Sequence, residues 1–159
     1  MVSEKNKFIV QVIKQSDLNS YKALRDLLDM AKVIADEEGD NDLSYALKLT
    51  DFIKRKVPTL PVSVVLNELY WEALKFEAPH RFESFLLYME KNRPFKKKFY
   101  LPRAKTLKVV VDDLQDLEDG VIEFYGLSMP PRVGKSTICI FFFAWIIGKR
   151  PDSHNAMSG

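Results

Sequence analysis

A chain of 159 residues has room for one domain or two small ones, and at 47% hydrophobic and 29% charged residues it excludes a disordered or membrane-embedded class. The net charge of +2 is too small to argue for nucleic-acid binding by itself. A single cysteine, Cys139, excludes an internal disulfide and a four-cysteine metal site.

The first residues are polar and lack the shape of a signal peptide. The longest apolar run, residues 138–147, falls well short of the roughly 20 residues a membrane span needs. A cytoplasmic protein without membrane attachment is the expectation. Charge is unevenly spread: residues 17–51 hold nine acidic and four basic side chains, and residues 91–105 hold seven basic and no acidic ones. The acidic stretch reads as a solvated helical face, and the basic stretch reads as either a solvated surface or a phosphate contact.

In chain order, residues 8–13 read either as a short strand or as a first helical turn. Ser16 or Asp17 caps a helix whose apolar positions Leu24, Leu27, Leu28, Ala31 and Ile34 recur at three- and four-residue spacing, and Gly39 ends it. A second helix carries Leu43, Ala46, Leu47, Leu49, Phe52 and Ile53 as far as Pro58. A third follows Pro61 with Val64, Val65, Leu69, Trp71 and Leu74. A fourth carries Phe82, Phe85, Leu86 and Met89 and closes before Pro94. Residues 1–92 are thus expected to form a helical bundle.

Residues 93–103 lose the amphipathic stripe and read as a basic linker containing Pro94 and Pro102. Phe95, Phe99 and Tyr100, interleaved with Lys96, Lys97 and Lys98, suit either stacking on nucleic acid or packing of the linker. A further helix follows, with Leu107, Val110, Val111, Leu114 and Leu117 on one side. Asp112, Asp113, Asp116, Glu118 and Asp119 read as its solvated face. After the Asp119-Gly120 turn signal, residues 121–127 read as a strand rich in β-branched and aromatic side chains. A glycine-bearing loop and a helix apolar on nearly every side complete the pattern. The expected fold is mainly α with the start of a P-loop α/β unit over residues 104–159.

The loop is Pro130-Pro131-Arg132-Val133-Gly134-Lys135-Ser136-Thr137. Against the phosphate-loop pattern G-x-x-x-x-G-K-S/T, Gly134-Lys135-Ser136 supplies the second half, and Met129 stands where the first glycine belongs. Gly134 lets the backbone turn tightly and approach phosphate. Backbone N–H groups from Arg132 through Ser136 form an anion nest at the positive end of the helix. Lys135 reaches the β- and γ-phosphates, Ser136 ligates Mg²⁺, and Thr137 stands near the α-phosphate. Arg132 supplies a second charge for the γ-phosphate, so Arg132 and Lys135 are the candidate catalytic residues. ATP and Mg²⁺ are the expected cofactors. His80, His154 and Cys139 have no metal-site spacing, and Cys139 reads as a core residue.

The segment from Gly126 through these loop residues to Thr137 resembles the Walker A region of large terminase subunits of tailed bacteriophages, where Pro-Pro-Arg-x-Gly-Lys-Ser-Thr replaces the leading glycine. The resemblance covers roughly residues 101–159. It implies an ATPase that assembles as a homo-oligomeric ring with portal protein and small terminase subunit, and that drives double-stranded DNA into procapsids in the cytoplasm of an infected bacterium. The parent protein would also be a nuclease. In that reading the chain is truncated before Walker B and hydrolyses ATP very weakly by itself. Two other readings stay open: another P-loop NTPase acting on DNA, such as a helicase, and a non-enzymatic helical docking module with a remnant P-loop.

Overall fold

The structure, a computed structural model, describes residues 17–36 and 40–150 together with Gln11 and Lys14. The reading of residues 8–13, the candidate cap Ser16, the helix stop Gly39 and His154 lie outside the described residues. The helices with defined bounds among the described residues are, in order, α1 (Tyr21–Asp36), α2 (Asp40–Lys56), α3 (Val64–Glu77), α4 (Phe82–Met89), α5 (Ala104–Glu118) and α6 (Lys135–Lys149). Short 3₁₀ turns occupy Val57–Thr59, Phe95–Lys97 and Leu101–Arg103. The chain divides into two compact units, Met1–Ala73 and Leu74–Gly159. No described helix is long and apolar enough to cross a membrane.

In the first unit the helical periodicity of α1 buries all five apolar residues read from the sequence, Leu24, Leu27, Leu28, Ala31 and Ile34. Ser20 caps this helix, its Oγ accepting the Ala23 N–H at 3.2 Å, while Asp17 organises the preceding turn through the Asn19 N–H at 3.1 Å. The α1 stripe packs on α2, which buries Ala46, Leu49 and Ile53. Lys54, Arg55 and Lys56 fill the last turn of α2, where cations suit the negative end of the helix dipole. Arg25 of α1 reaches α3 with a two-pronged contact to Glu72, at 2.8 and 2.9 Å. The third helix is present and buries Leu69 and Leu74 as expected, but Val64 and Val65 in its first turn are exposed and Leu66 is buried instead.

The second unit is built on Phe82, Leu86, Tyr100, Leu107, Val110, Val111, Leu114, Ile138, Phe142 and Trp145. Phe82 is its aromatic centre, edge-on to Phe142 and tilted against Trp145 with ring centroids 5.3 Å away in each case. Buried polar groups are satisfied locally. Trp145 Nε1 donates to the Ala78 carbonyl at 2.7 Å, and Ser84 Oγ donates to Glu77 Oε2 at 2.6 Å. Gln115 accepts the Phe82 N–H at 2.8 Å and donates to the His80 carbonyl at 3.2 Å, tying α5 to the start of α4. Glu118 is not part of a solvated face: its side chain is 5% exposed and pairs with Lys149 at 2.9 Å and with Arg150.

The expected strand, and with it the start of an α/β unit, is absent: all regular structure among the described residues is helical, and residues 121–127 run as irregular chain. β-Propensity measures fit to a paired, half-buried sheet surface, and among the described residues no neighbouring strand supplies one. The segment is held by the preceding helix instead. The Val121 and Ile122 N–H groups bond the Asp116 carbonyl at 2.9 and 3.3 Å, after Gly120 turns with a φ of +73°. Burial and a hydrogen bond with Asp113 of α5 push the Tyr125 phenol up to about 12. Tyr125 and Leu127 pack onto the helical core, while Val121 and Phe124 stay exposed.

His80 adds a pH dependence to this unit. Burial, followed by the nearby charge of Lys149, lowers its imidazole below the ordinary value of 6.5. The folded chain therefore binds fewer protons than the unfolded one as pH falls through about 6.5, and stability drops there. The denaturation midpoint is expected to fall between about pH 7 and pH 5, and less so in a His80→Asn variant, as read by urea titration at each pH.

Candidate phosphate-binding site

The site forms where the irregular segment meets α6. Two residues adopt positive φ in this loop: Arg132 at 66° and Gly134 at 108°. A non-glycine residue in the left-handed region costs about 1–2 kcal/mol, so the turn at Arg132 is held against its own preference. Gly134 is the N-cap of α6, and the first helical bond runs from the Ile138 N–H to the Gly134 carbonyl at 3.0 Å. The N–H groups of Lys135, Ser136 and Thr137 precede that bond and belong to the orphan donors of a helix start. No side chain caps them, and no acid occupies the first turn.

A cavity of about 550 Å³ opens at this helix end. Pro130, Pro131, Arg132, Gly134, Lys135, Ser136 and Thr137 line it, together with Met129. Seven of the eight residues expected to form the cradle are thus brought together. Val133 is not among them; it turns away and packs on the hydrophobic core. The cavity lining contains no carboxylate, and the described residues hold no cluster of three or more His, Cys, Asp or Glu side chains able to bind a metal ion.

The opposite wall comes from the linker. Phe99 and Arg103 line the same cavity, although they stand 35 and 31 residues before Gly134 in the chain. Phe99 stacks on Phe141 of α6 with centroids 5.9 Å apart, and the Arg103 guanidinium lies 5.6 Å from the Phe99 ring centroid. Arg103 also donates to the Phe99 carbonyl at 3.0 Å. Of the two readings open for Phe99, packing of the linker is what the structure displays. The interleaving of aromatic and basic residues was a visible signal for this segment, but nothing in the sequence singled out Arg103.

The electrostatics of the loop are one-sided. Cations at a helix N-terminus meet the positive end of its dipole, the unfavourable arrangement. Lys135 opens the helix, and Arg132 stands just before it; both are exposed, and neither forms an ion pair with a carboxylate among the described residues. An anion in the cavity would satisfy the orphan N–H groups and offset both cations at once. Several cations elsewhere are paired, among them Arg25 with Glu72, Lys54 with Asp51, Lys108 with Glu83, and Lys149 with Glu118. Cys139 is half-buried against the core, the position expected of a small core residue. Comparison with protein-family models, with curated proteins and with solved structures gives no match to this chain.

Proposed function

We propose that the chain binds the phosphates of a nucleoside triphosphate in the cradle from Pro130 to Thr137. The observation that carries this reading is an uncapped helix start beside a cavity, flanked by two cations with no acid to balance them. Lys135 contacts the terminal phosphates, Arg132 adds charge at the γ-phosphate, and the α6 N–H groups bind the oxygens between them. Mg²⁺ fits this donor set modestly: it retains several waters and takes substrate phosphate oxygens, and the Ser136 hydroxyl is the protein ligand the cavity offers. With no carboxylate in the lining to activate water, the site favours binding over hydrolysis. Titration with a fluorescent ATP analogue, with and without Mg²⁺, tests this, and inorganic triphosphate should compete.

The resemblance of the loop to the Walker A region of large terminase subunits extends the proposal. On that basis the chain is the N-terminal portion of a DNA-packaging ATPase, with portal protein, small terminase subunit and double-stranded DNA as partners. The basic segment supplies a surface for the DNA: Arg93, Lys96, Lys97 and Lys105 are exposed there, and Glu90, the acid beside them in sequence, is buried. Binding of a labelled duplex is expected to weaken with salt, with a log–log slope of about −0.9 per neutralised phosphate. Replacing Lys96, Lys97 and Lys98 together by alanine should reduce that slope by about 2 to 3. Fluorescence anisotropy across a salt series reads both, and a slope unchanged by the triple substitution would remove the segment from the interface.

A further inference from the structure

Gly134 takes its left-handed conformation against the ring of Phe99. A β-carbon at Gly134 would lie 2.4 Å from Phe99 Cε2 and 2.9 Å from Cζ. Phe99 itself lies in irregular chain between the turns Phe95–Lys97 and Leu101–Arg103, where no helical or sheet ladder fixes the backbone. A side chain takes over that task. Glu90, the residue after α4, is only 1% exposed. Its Oε1 accepts the Phe99 N–H at 2.5 Å and the Tyr100 N–H at 2.8 Å, and its Oε2 accepts the Leu101 N–H at 3.3 Å.

Tyr100 has an anchor of its own: its ring is fully buried, and its hydroxyl donates to Glu83 at 2.6 Å. The bond from Phe99 to Glu90 extends the fixed backbone one residue further, to the aromatic ring that contacts the loop. Hydrogen bonds to a carboxylate are roughly twice as strong as neutral ones, so this short bond is suited to holding a ring in one place. We propose that Glu90 is a positioning residue for the phosphate cradle: it holds Phe99 against Gly134 and thereby sets the turn from which the α6 N–H groups face the cavity. This rests on the reading of the loop as a nucleotide site.

The test compares the 159-residue chain with its Glu90→Gln and Phe99→Ala variants, using two readouts. NMR shifts of the Gly134 α-protons report the neighbouring ring current, and titration with the fluorescent ATP analogue reports affinity. In the unsubstituted chain the Gly134 resonances should be displaced from their random-coil positions. Glu90→Gln, with its helical circular dichroism retained, should move them toward those of Phe99→Ala and weaken affinity by about tenfold to a hundredfold, the scale of a small misplacement of binding groups. A Glu90→Gln protein that melts earlier but keeps native Gly134 shifts and affinity would overturn the proposal. If Glu90→Gln does not fold, Phe99→Ala decides, because it retains every backbone donor to Glu90; unchanged affinity in that variant overturns the proposal too. Failure of the unsubstituted chain to bind the analogue would defeat the nucleotide reading, while the Gly134 shifts would still decide whether Glu90 positions the loop.

Discussion

Gly134→Ala is expected to abolish measurable binding of an ATP analogue while leaving the first unit folded. Two costs coincide at this position. A φ of +108° lies where side chains other than glycine are strained, at about 1–3 kcal/mol. The added β-carbon would also overlap the Phe99 ring at 2.4 Å. Phe99 cannot step aside freely, because its ring stacks on Phe141 and carries Arg103 on it. Relief therefore moves either the linker or the loop, and each is a wall of the cavity. Gly120 offers the internal comparison: its φ is +73°, yet a β-carbon there meets nothing within 4 Å. Gly120→Ala should cost only the conformational term, about 1–2 kcal/mol, with affinity unchanged. Urea denaturation and analogue titration on the two variants separate the effects, and equal affinities would show that the contact with Phe99 does not matter.

The largest loss of stability is expected from Phe82→Ala. Phe82 is fully buried and touches Phe142 and Trp145, the two large side chains through which α6 joins the second unit. Truncating a buried phenylalanine costs about 3–5 kcal/mol, lost transfer energy plus the cavity left behind. Against a typical domain stability of about 5–15 kcal/mol, that brings this unit close to unfolding. Because α6 begins at Lys135 of the proposed phosphate loop, analogue binding should fall in step with the folded fraction. Guanidinium denaturation followed by the fluorescence of Trp145 and Trp71 measures the shift. A loss below about 1 kcal/mol would mean that Phe82 is not central to the core, since smaller values are typical of exposed sites.

The sequence carried these features unequally. Residues whose burial follows from helical spacing were legible: the α1 stripe from Leu24 to Ile34 and the α5 stripe of Leu107, Val110, Val111 and Leu114 are buried as their periodicity requires. In α3, Leu69 and Leu74 are buried as their spacing requires, but hydrophobicity alone does not decide which residue of a first turn faces inward: Leu66 is buried there, and Val64 and Val65 are exposed. Residues 121–127 have a strand's composition, yet sheet formation depends on a partner that composition does not reveal. Most of the lining of the proposed cradle was legible because its residues are contiguous and glycine at 134 is demanded by the turn. Its other wall was not, since Phe99 and Arg103 reach the loop only through tertiary packing. The role of Glu90 was hidden for the same reason: as a lone acid beside a basic run, it gives no hint that it faces inward to accept backbone N–H groups.

The measurement that bears most directly on the central claim is titration of the chain and its Lys135→Ala variant with a fluorescent ATP analogue in the presence of Mg²⁺. Lys135→Ala removes one of the two loop cations and leaves the exposed first turn of α6 otherwise intact, so its fold should survive. The account predicts saturable binding by the unsubstituted chain, competition by inorganic triphosphate, and no measurable binding by the variant. Equal affinity in the two proteins would contradict it.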